Sequence, residues 1–330
     1  LATFSSSTNS LAGVVLLRLM SIGFGLLHLV LIFRCLRLLF PGRERPQAVG
    51  LLLAAWLPMN LYLAHYTSNE SLLALLTTAT LYLCLRLLRD RSVSPLRCAA
   101  LGLCLGAALL TKFTALLLLP FVFGAVAWRL WQEGRREPAV WLRTLGMVGV
   151  VCLLVCGWHF ARVWGHFGKP LVGAWDPVAG DAWWQDEGYR TSAWFGRCGR
   201  AMTEPLFSSA HGFADGIYST MWADGLCGGV TALAYRPPWN YDLMLLGSWL
   251  SLGPALLMVA GAGLALWKFL REPSPEWLLL NGLVWSFAFA FTHMALEVPC
   301  FAQIKAIYGL LTLLPLCVFG ALGWEALVAR

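Results

Sequence analysis

The chain has 330 residues, 59% of them hydrophobic and only 12% charged, with a formal net charge of +7 and a mean hydropathy of +0.68. Soluble domains carry roughly 25% charged residues, so this composition excludes a soluble globular enzyme, a disordered chain and a nucleic-acid-binding domain. The basic residues fall between apolar stretches, the pattern of a membrane protein oriented by its loops rather than of a nucleic-acid patch.

A spanning helix needs about 20 mostly apolar residues. Taken in chain order, hydropathy predicts about nine: 11–33, 47–66, 70–88, 96–111, 113–131, 143–162, 241–267, 277–296 and 303–325. The expected fold is therefore all-α, a polytopic transmembrane helical bundle. The fourth segment is short and carries Gly102 and Gly106, a spacing that admits a close neighbouring helix. Between the sixth and seventh segments runs residues 163–240, too long for a plain connector and expected to form short surface helices or a small cap. The chain thus divides into N-terminal helices (1–162), an extracytoplasmic loop region (163–240) and C-terminal helices (241–330). The loop region holds Asp176, Asp181, Asp186, Glu187, Glu204, Asp215 and Asp224, with tryptophans at 164, 175, 183, 184, 194 and 222. Such tryptophans suit a membrane interface and also stack on sugars; the residues alone leave both roles open.

Orientation follows from the alternate loops. One set holds 15 of the 24 basic residues and 7 of the 17 acidic ones, a net +8 against −1 for the rest of the chain. That side is expected to be cytoplasmic, which puts the N-terminal end of this chain outside and the C-terminal end inside. Leu1 is not a methionine and no basic segment precedes an apolar core. The sequence therefore reads as part of a longer protein with a helix upstream.

Ionisable groups in or beside spanning helices are costly and are functional candidates. Arg18 lies roughly 10 Å below the outer surface at 1.5 Å per residue, one turn from Ser21. His65, Asn69 and Glu70 fall in the outer connection of the second and third segments, Lys112 in that of the fourth and fifth, and Gln303, Lys305 and Tyr308 at the start of the last. Each has a plain structural alternative. Arg18 can snorkel, Asn69 and Glu70 can cap a helix, Lys112 can be a solvated turn lysine, and Lys305 with Tyr308 can anchor at the interface. Together, Arg18, Lys112 and Lys305 on one side of an apolar bundle point to an anion such as phosphate. His28, His159 and His293 read as packed or hydrogen-bonded, and His166 and His211 are uninformative alone. The ten cysteines show no CxxC and no zinc spacing. Cys198 and Cys227 share the long loop, where a disulfide is one option. No metal or cofactor motif is present.

The segments bearing these residues resemble a known family. LPMNLYLAHYTSNESLLALLTTATLYL (57–83) is similar to the proline-to-Asn-Glu stretch of polytopic C-type glycosyltransferases, among them the protein O-mannosyltransferases and bacterial aminoarabinose transferases. GLCLGAALLTKFTALLLLP (102–120) looks like their TK helix pair, AQIKAIYGLLTLLPL (302–316) their final segment, and RLMSIGFGLLHLVLIFRCLRLLFPG (18–42) their second helix. The similarity covers most of 11–130 and 300–325. It implies that Lys112 and Lys305 face a donor's lipid phosphate, with Arg18 and Tyr308 nearby, and that Asn69 and Glu70 edge the sugar cavity. Ile307 stands where the family's final motif has a second cation. The family's principal catalytic carboxylate lies in a first outer loop, which the resemblance sets upstream of Leu1. Glu70 is then the catalytic candidate in this chain, and the loop around Asp176 and Asp215–Asp224 a candidate for acceptor binding.

The expected function is a membrane glycosyltransferase moving a sugar from a polyprenyl-phosphate donor to a protein, lipid or glycan acceptor outside a bacterial inner membrane. No cofactor and no nucleic acid is expected. Two alternatives remain: a lipid or sugar transporter or flippase, which would put charge at midplane in two related halves, and a non-catalytic scaffold related to these transferases.

Overall fold

The computed structural model describes residues 11–90, 93–135, 137–173, 191–226, 240–298 and 300–329. Among these the chain is helical and contains no strand. The helices are α1 (Leu11–Leu39), α2 (Glu44–Trp56), α3 (Pro58–His65), α4 (Glu70–Arg89), α5 (Pro95–Thr111), α6 (Leu118–Gln132), α7 (Pro138–Phe167), α8 (Ser192–Gly196), α9 (Phe213–Trp222), α10 (Tyr241–Leu250), α11 (Leu252–Arg271), α12 (Pro275–Glu297) and α13 (Leu313–Val328). Seven segments are long and apolar enough to cross a membrane, or eight if the bent pair α2–α3 is one span, and α5 is a shorter apolar helix. The chain is a polytopic helical bundle, as its hydropathy predicts.

Local chemistry explains the breaks. Pro58 opens α3, and Leu57 before it takes extended dihedrals, the usual restriction on a residue preceding proline; the two helices bend by 46° there. Pro120 and Pro315 each sit in the first turn of a helix, α6 and α13. A proline there is tolerated, but its missing N–H and its ring disfavour regular α-helix behind it. Both helices are accordingly preceded by 3₁₀ turns, Phe113–Leu117 and Ala306–Thr312. The last segment, expected as one helix over 303–325, is therefore a 3₁₀ entry followed by α13.

The core runs along α4, α5, α6 and α13, whose Leu81, Leu105, Leu118 and Phe319 are fully buried. A Cβ on Gly102 would lie 2.5 Å from the Val148 carbonyl, and one on Gly106 2.8 Å from that of Cys152. The glycine pair thus seats α5 directly on the backbone of α7, as its spacing suggests. Gly261 and Gly323 do the same for α11 against α13. His28 is buried and its Nε2 is 2.9 Å from Thr78 Oγ1, joining α1 to α4. That is the hydrogen-bonded histidine expected from the sequence.

The described part of residues 163–240 holds the end of α7, the short helices α8 and α9, and 3₁₀ turns at Arg200–Met202 and Ser208–Ala210. Asp215 organises it: one carboxylate oxygen accepts from the Gly199 and Ala201 N–H groups at 2.8 and 3.0 Å, and the other is 2.9 Å from His211 Nδ1. Asp176 and Cys227 lie outside the described residues, so the acceptor role and the disulfide rest on sequence alone.

Candidate functional site

The two lysines occupy equivalent backbone positions. Lys112 follows α5 with φ −161° and ψ 133°, and Lys305 follows a short 3₁₀ turn with φ −124° and ψ 124°. Each is an extended residue at the mouth of a proline-induced 3₁₀ turn. The helix breaks thus bring both ammonium-bearing chains to one end of the bundle.

Glu70 opens α4 beside them. Asn69 occupies the cap position, but its side chain does not cap. Its Nδ2 donates to the Thr111 carbonyl at 3.1 Å, and Ser68 Oγ accepts from the Glu70 N–H at 3.2 Å. Asn69 therefore ties the start of α4 to the end of α5, which sets Glu70 against Lys112. Lys112 Nζ donates to Glu70 Oε1, and the side chains are only 19% and 4% exposed. The other Glu70 oxygen, Oε2, is buried and has no hydrogen-bond partner among the described residues. A buried carboxylate oxygen left unmatched costs free energy, so this position is suited to an incoming hydroxyl donor.

The lysine ammonium also stands over the Tyr308 ring, 4.4 Å from its centroid, a cation–π distance. Tyr308 OH donates to Gln303 Oε1 at 3.2 Å. Lys305 is half-buried and within electrostatic reach of Lys112, Asp224 and Cys300. Six of the sequence candidates, Asn69, Glu70, Lys112, Gln303, Lys305 and Tyr308, are thereby brought together from three separate stretches of chain. His65 ends α3 and is exposed. Arg18 is exposed on α1 and makes no hydrogen bond or ion pair among the described residues; it is not joined to the lysines.

Two cavities flank this centre. A predominantly apolar one of about 450 Å³ lies among α9, α11, α12 and the last 3₁₀ turn, lined by Phe213, Trp222, Met258, Phe287, Ala306 and Gly309 among others. A smaller one of about 270 Å³ lies between the C-terminal ends of α5 and α7, lined by Asn69, Thr111, Lys112, His159, Phe160 and Leu171 among others. Lys112 borders the second, and the neighbours of Lys305 and Tyr308 border the first.

The sequence offered Asp224 only within a loop for acceptor recognition and did not foresee its partners. Tyr66 OH donates to Asp224 Oδ2, and Tyr62 OH donates to the Thr220 carbonyl. Tyr62 and Tyr66 lie one turn apart near the Asn-Glu motif, but nothing in the long loop marked which of its acids they meet. Among the described residues no three His, Cys, Asp or Glu side chains are grouped to hold a metal ion.

No curated protein matches the chain. Two solved structures of ArnT from Cupriavidus metallidurans, one in the apo state and one bound to undecaprenyl phosphate, are each 18% identical with a TM-score of 0.36. They cover 93% and 94% of this chain, which spans only 62% and 63% of their length. Residues 9–158, which include Arg18, Asn69, Glu70 and Lys112, match the family model described as dolichyl-phosphate-mannose-protein mannosyltransferase, so the resemblance drawn from the motifs is borne out over that stretch of the chain.

Proposed function

We propose that this chain belongs to a membrane glycosyltransferase that moves a sugar from a polyprenyl-phosphate donor to an acceptor on the extracytoplasmic side. The observation that carries the reading is the buried Lys112–Glu70 pair, with one carboxylate oxygen unpartnered, beside Lys305 and an apolar cavity. The family match over residues 9–158 supports it. So does the charge pattern: Arg43–Glu325, Arg97–Asp90 and Arg129–Glu133 pair at the opposite end of the bundle, the end expected to face the cytoplasm. In that orientation α1 starts outside and α13 ends inside a bacterial inner membrane.

The chemistry follows from what each group can do. The donor's isoprenoid tail is apolar and suits the 450 Å³ cavity, while its phosphate is anionic and suits the two ammonium groups. The acceptor hydroxyl donates a hydrogen bond to Glu70 Oε2 and yields its proton there as its oxygen attacks the anomeric carbon. The bond from that carbon to the phosphate oxygen breaks, the leaving phosphate takes the electron pair, and the configuration inverts. Lys112 and Lys305 stabilise the added negative charge best where water is excluded. Asn69 and the 270 Å³ cavity beside Lys112 suit the sugar or the acceptor. Arg18 joins the site only if the donor's phosphate reaches it along α1. A transporter would carry its polar groups near midplane; the group described here lies at one end of the helices.

The test is transfer of radiolabelled sugar from polyprenyl-phosphate donors in membranes carrying the protein. Transfer by wild-type protein, lost in Glu70→Gln, supports the reading. Unchanged turnover in that variant removes the glutamate from the mechanism.

A further inference from the structure

A third cavity lies far from the lysine site. Pro95 opens α5 and Lys112 follows its last residue, and this cavity sits at the Pro95 end. Its volume is about 150 Å³, between the starts of α5 and α7, and Val93, Pro95, Cys98 and Thr144 line it together with two arginines, Arg135 and Arg143. At roughly 30 Å³ per water molecule the space holds on the order of five waters, enough for a hydrated phosphate group and too little for an isoprenoid tail. Thr144 is buried, and α7 is wound as a π-helix over Leu142–Gly146, which includes Arg143. Such turns are rare and frequently occur at functional sites.

An ion network fixes the surrounding chain and leaves one cation over. Arg129 is buried; its Nε and Nη2 donate to Glu133 Oε1 at 2.8 and 2.7 Å, and Nη2 also donates to the Asp90 carbonyl, tying the end of α6 to the end of α4. Asp90 pairs in turn with Arg97. Arg135 Nε meets Glu133 Oε2 at 2.8 Å, and the Arg135 carbonyl accepts from Trp141 Nε1 at 2.6 Å. Two acids are thus shared among three arginines. Arg143 is exposed and makes no hydrogen bond or ion pair among the described residues. Glu137, the acid nearest to it in sequence, lines a neighbouring cleft with Gly134 and Pro138. Among the described residues no carboxylate lines the arginine cavity itself.

Large apolar side chains stand exposed on both sides of it. Leu96, beside Pro95, is 79% exposed, and Leu142, beside Arg143, is 75% exposed. We propose that this cavity binds the phosphate headgroup of an anionic membrane lipid, with Arg143 and Arg135 facing the phosphate and Leu96 and Leu142 against the acyl chains. The site is separate from the lysine centre and does not depend on how that centre is read. Guanidinium groups suit the ligand because their planar N–H donors match phosphate oxygens in pairs. The depth suits it too: the arginines belong to the basic end of the bundle, and basic pockets between spanning helices on the cytoplasmic side favour anionic headgroups.

The experiment measures, by native mass spectrometry of the purified protein in detergent, binding of phosphatidylglycerol and of the uncharged diacylglycerol with the same chains, for wild type, Arg143→Gln and Arg43→Gln. Arg43 belongs to the same basic end but does not line the cavity. Wild-type protein is expected to retain phosphatidylglycerol in preference to diacylglycerol. Arg143→Gln, a change at an exposed side chain, is expected to weaken phosphatidylglycerol by about tenfold and to leave diacylglycerol unchanged. Arg43→Gln is expected to leave both unchanged. Equal binding of the two lipids by wild-type protein, or a full preference kept by Arg143→Gln, overturns the proposal. So do equal losses in the two variants, because diffuse attraction to a basic surface weakens similarly for each arginine removed. Inorganic phosphate is titrated in parallel. Lipid retained at phosphate concentrations matching its own supports the headgroup as occupant, and its displacement there overturns a lipid as occupant.

Discussion

Both ends of this bundle carry ion pairs, but the pairs differ in kind. At the basic end Arg43 meets Glu325 with side chains 54% and 22% exposed, and Arg135 meets Glu133 at 34% and 31%. Such pairs are solvated and contribute about 0–1 kcal/mol each; Arg129 is the buried exception there, 8% exposed and paired with a Glu133 that is 31% exposed. At the other end Lys112 and Glu70 are only 19% and 4% exposed, with the ammonium over the Tyr308 ring. Taking two charges out of water costs several kcal/mol per ion before their attraction offsets it. The comparison teaches that most ion pairs at one end stay in contact with solvent, while at the other a carboxylate and an ammonium are withdrawn from it, where charges interact more strongly.

Removing one partner of the buried pair separates the two ends most strongly. Lys112→Met leaves Glu70 buried and uncompensated, and is expected to destabilise the protein by roughly 3–5 kcal/mol and to abolish transfer. Adding Glu70→Gln to it is expected to return most of the stability, read by thermal melting, without restoring activity. If Lys112→Met melts like wild type, the burial argument is broken.

Glu70→Gln alone keeps shape and neutralises the carboxylate. Turnover is expected to fall by about 10²–10⁴-fold, the usual worth of a positioned acid or base, with donor KM little changed. A rise in KM without loss of kcat would move Glu70 from proton transfer to donor binding. A smaller effect is expected at the glycine contact: Gly102→Ala forces α5 from the Val148 carbonyl and is expected to cost about 1–3 kcal/mol, lowering the melting temperature and sparing kcat. At the basic end, Arg43→Ala is expected to change stability by less than about 1 kcal/mol and to leave transfer unchanged. A large loss there would show that the two ends are less distinct than their exposure indicates.

Much of this was legible in the sequence. The apolar segments announce themselves because no other structure tolerates such runs, and the lysine, glutamate and tyrosine of the site stand in short motifs beside them. Other features were hidden for physical reasons. The 3₁₀ entries at 113–117 and 306–312 look like helix to hydropathy; only Pro120 and Pro315 signal them. Asp224 was one of seven acids in the long loop, and its meeting with Tyr66 spans 158 residues of chain. Arg18 shows the reverse case. Its position in an apolar helix suggested a third cation for the site, yet an arginine on a helix face can point outward, and periodicity alone does not choose the face. Asn69 looked like a helix cap, but the Thr111 carbonyl competes for its amide once α5 packs alongside.

The central claim is that the lysines at this end hold a phosphate attached to a lipid. Its most direct test is the affinity of wild-type and Lys305→Met protein for undecaprenyl phosphate and undecaprenol, measured in the same nanodiscs. The account predicts that wild type favours the phosphate form by at least about tenfold and that Lys305→Met loses that preference while still binding the alcohol. A wild-type protein that binds both equally, or a variant that keeps the full preference, would contradict it.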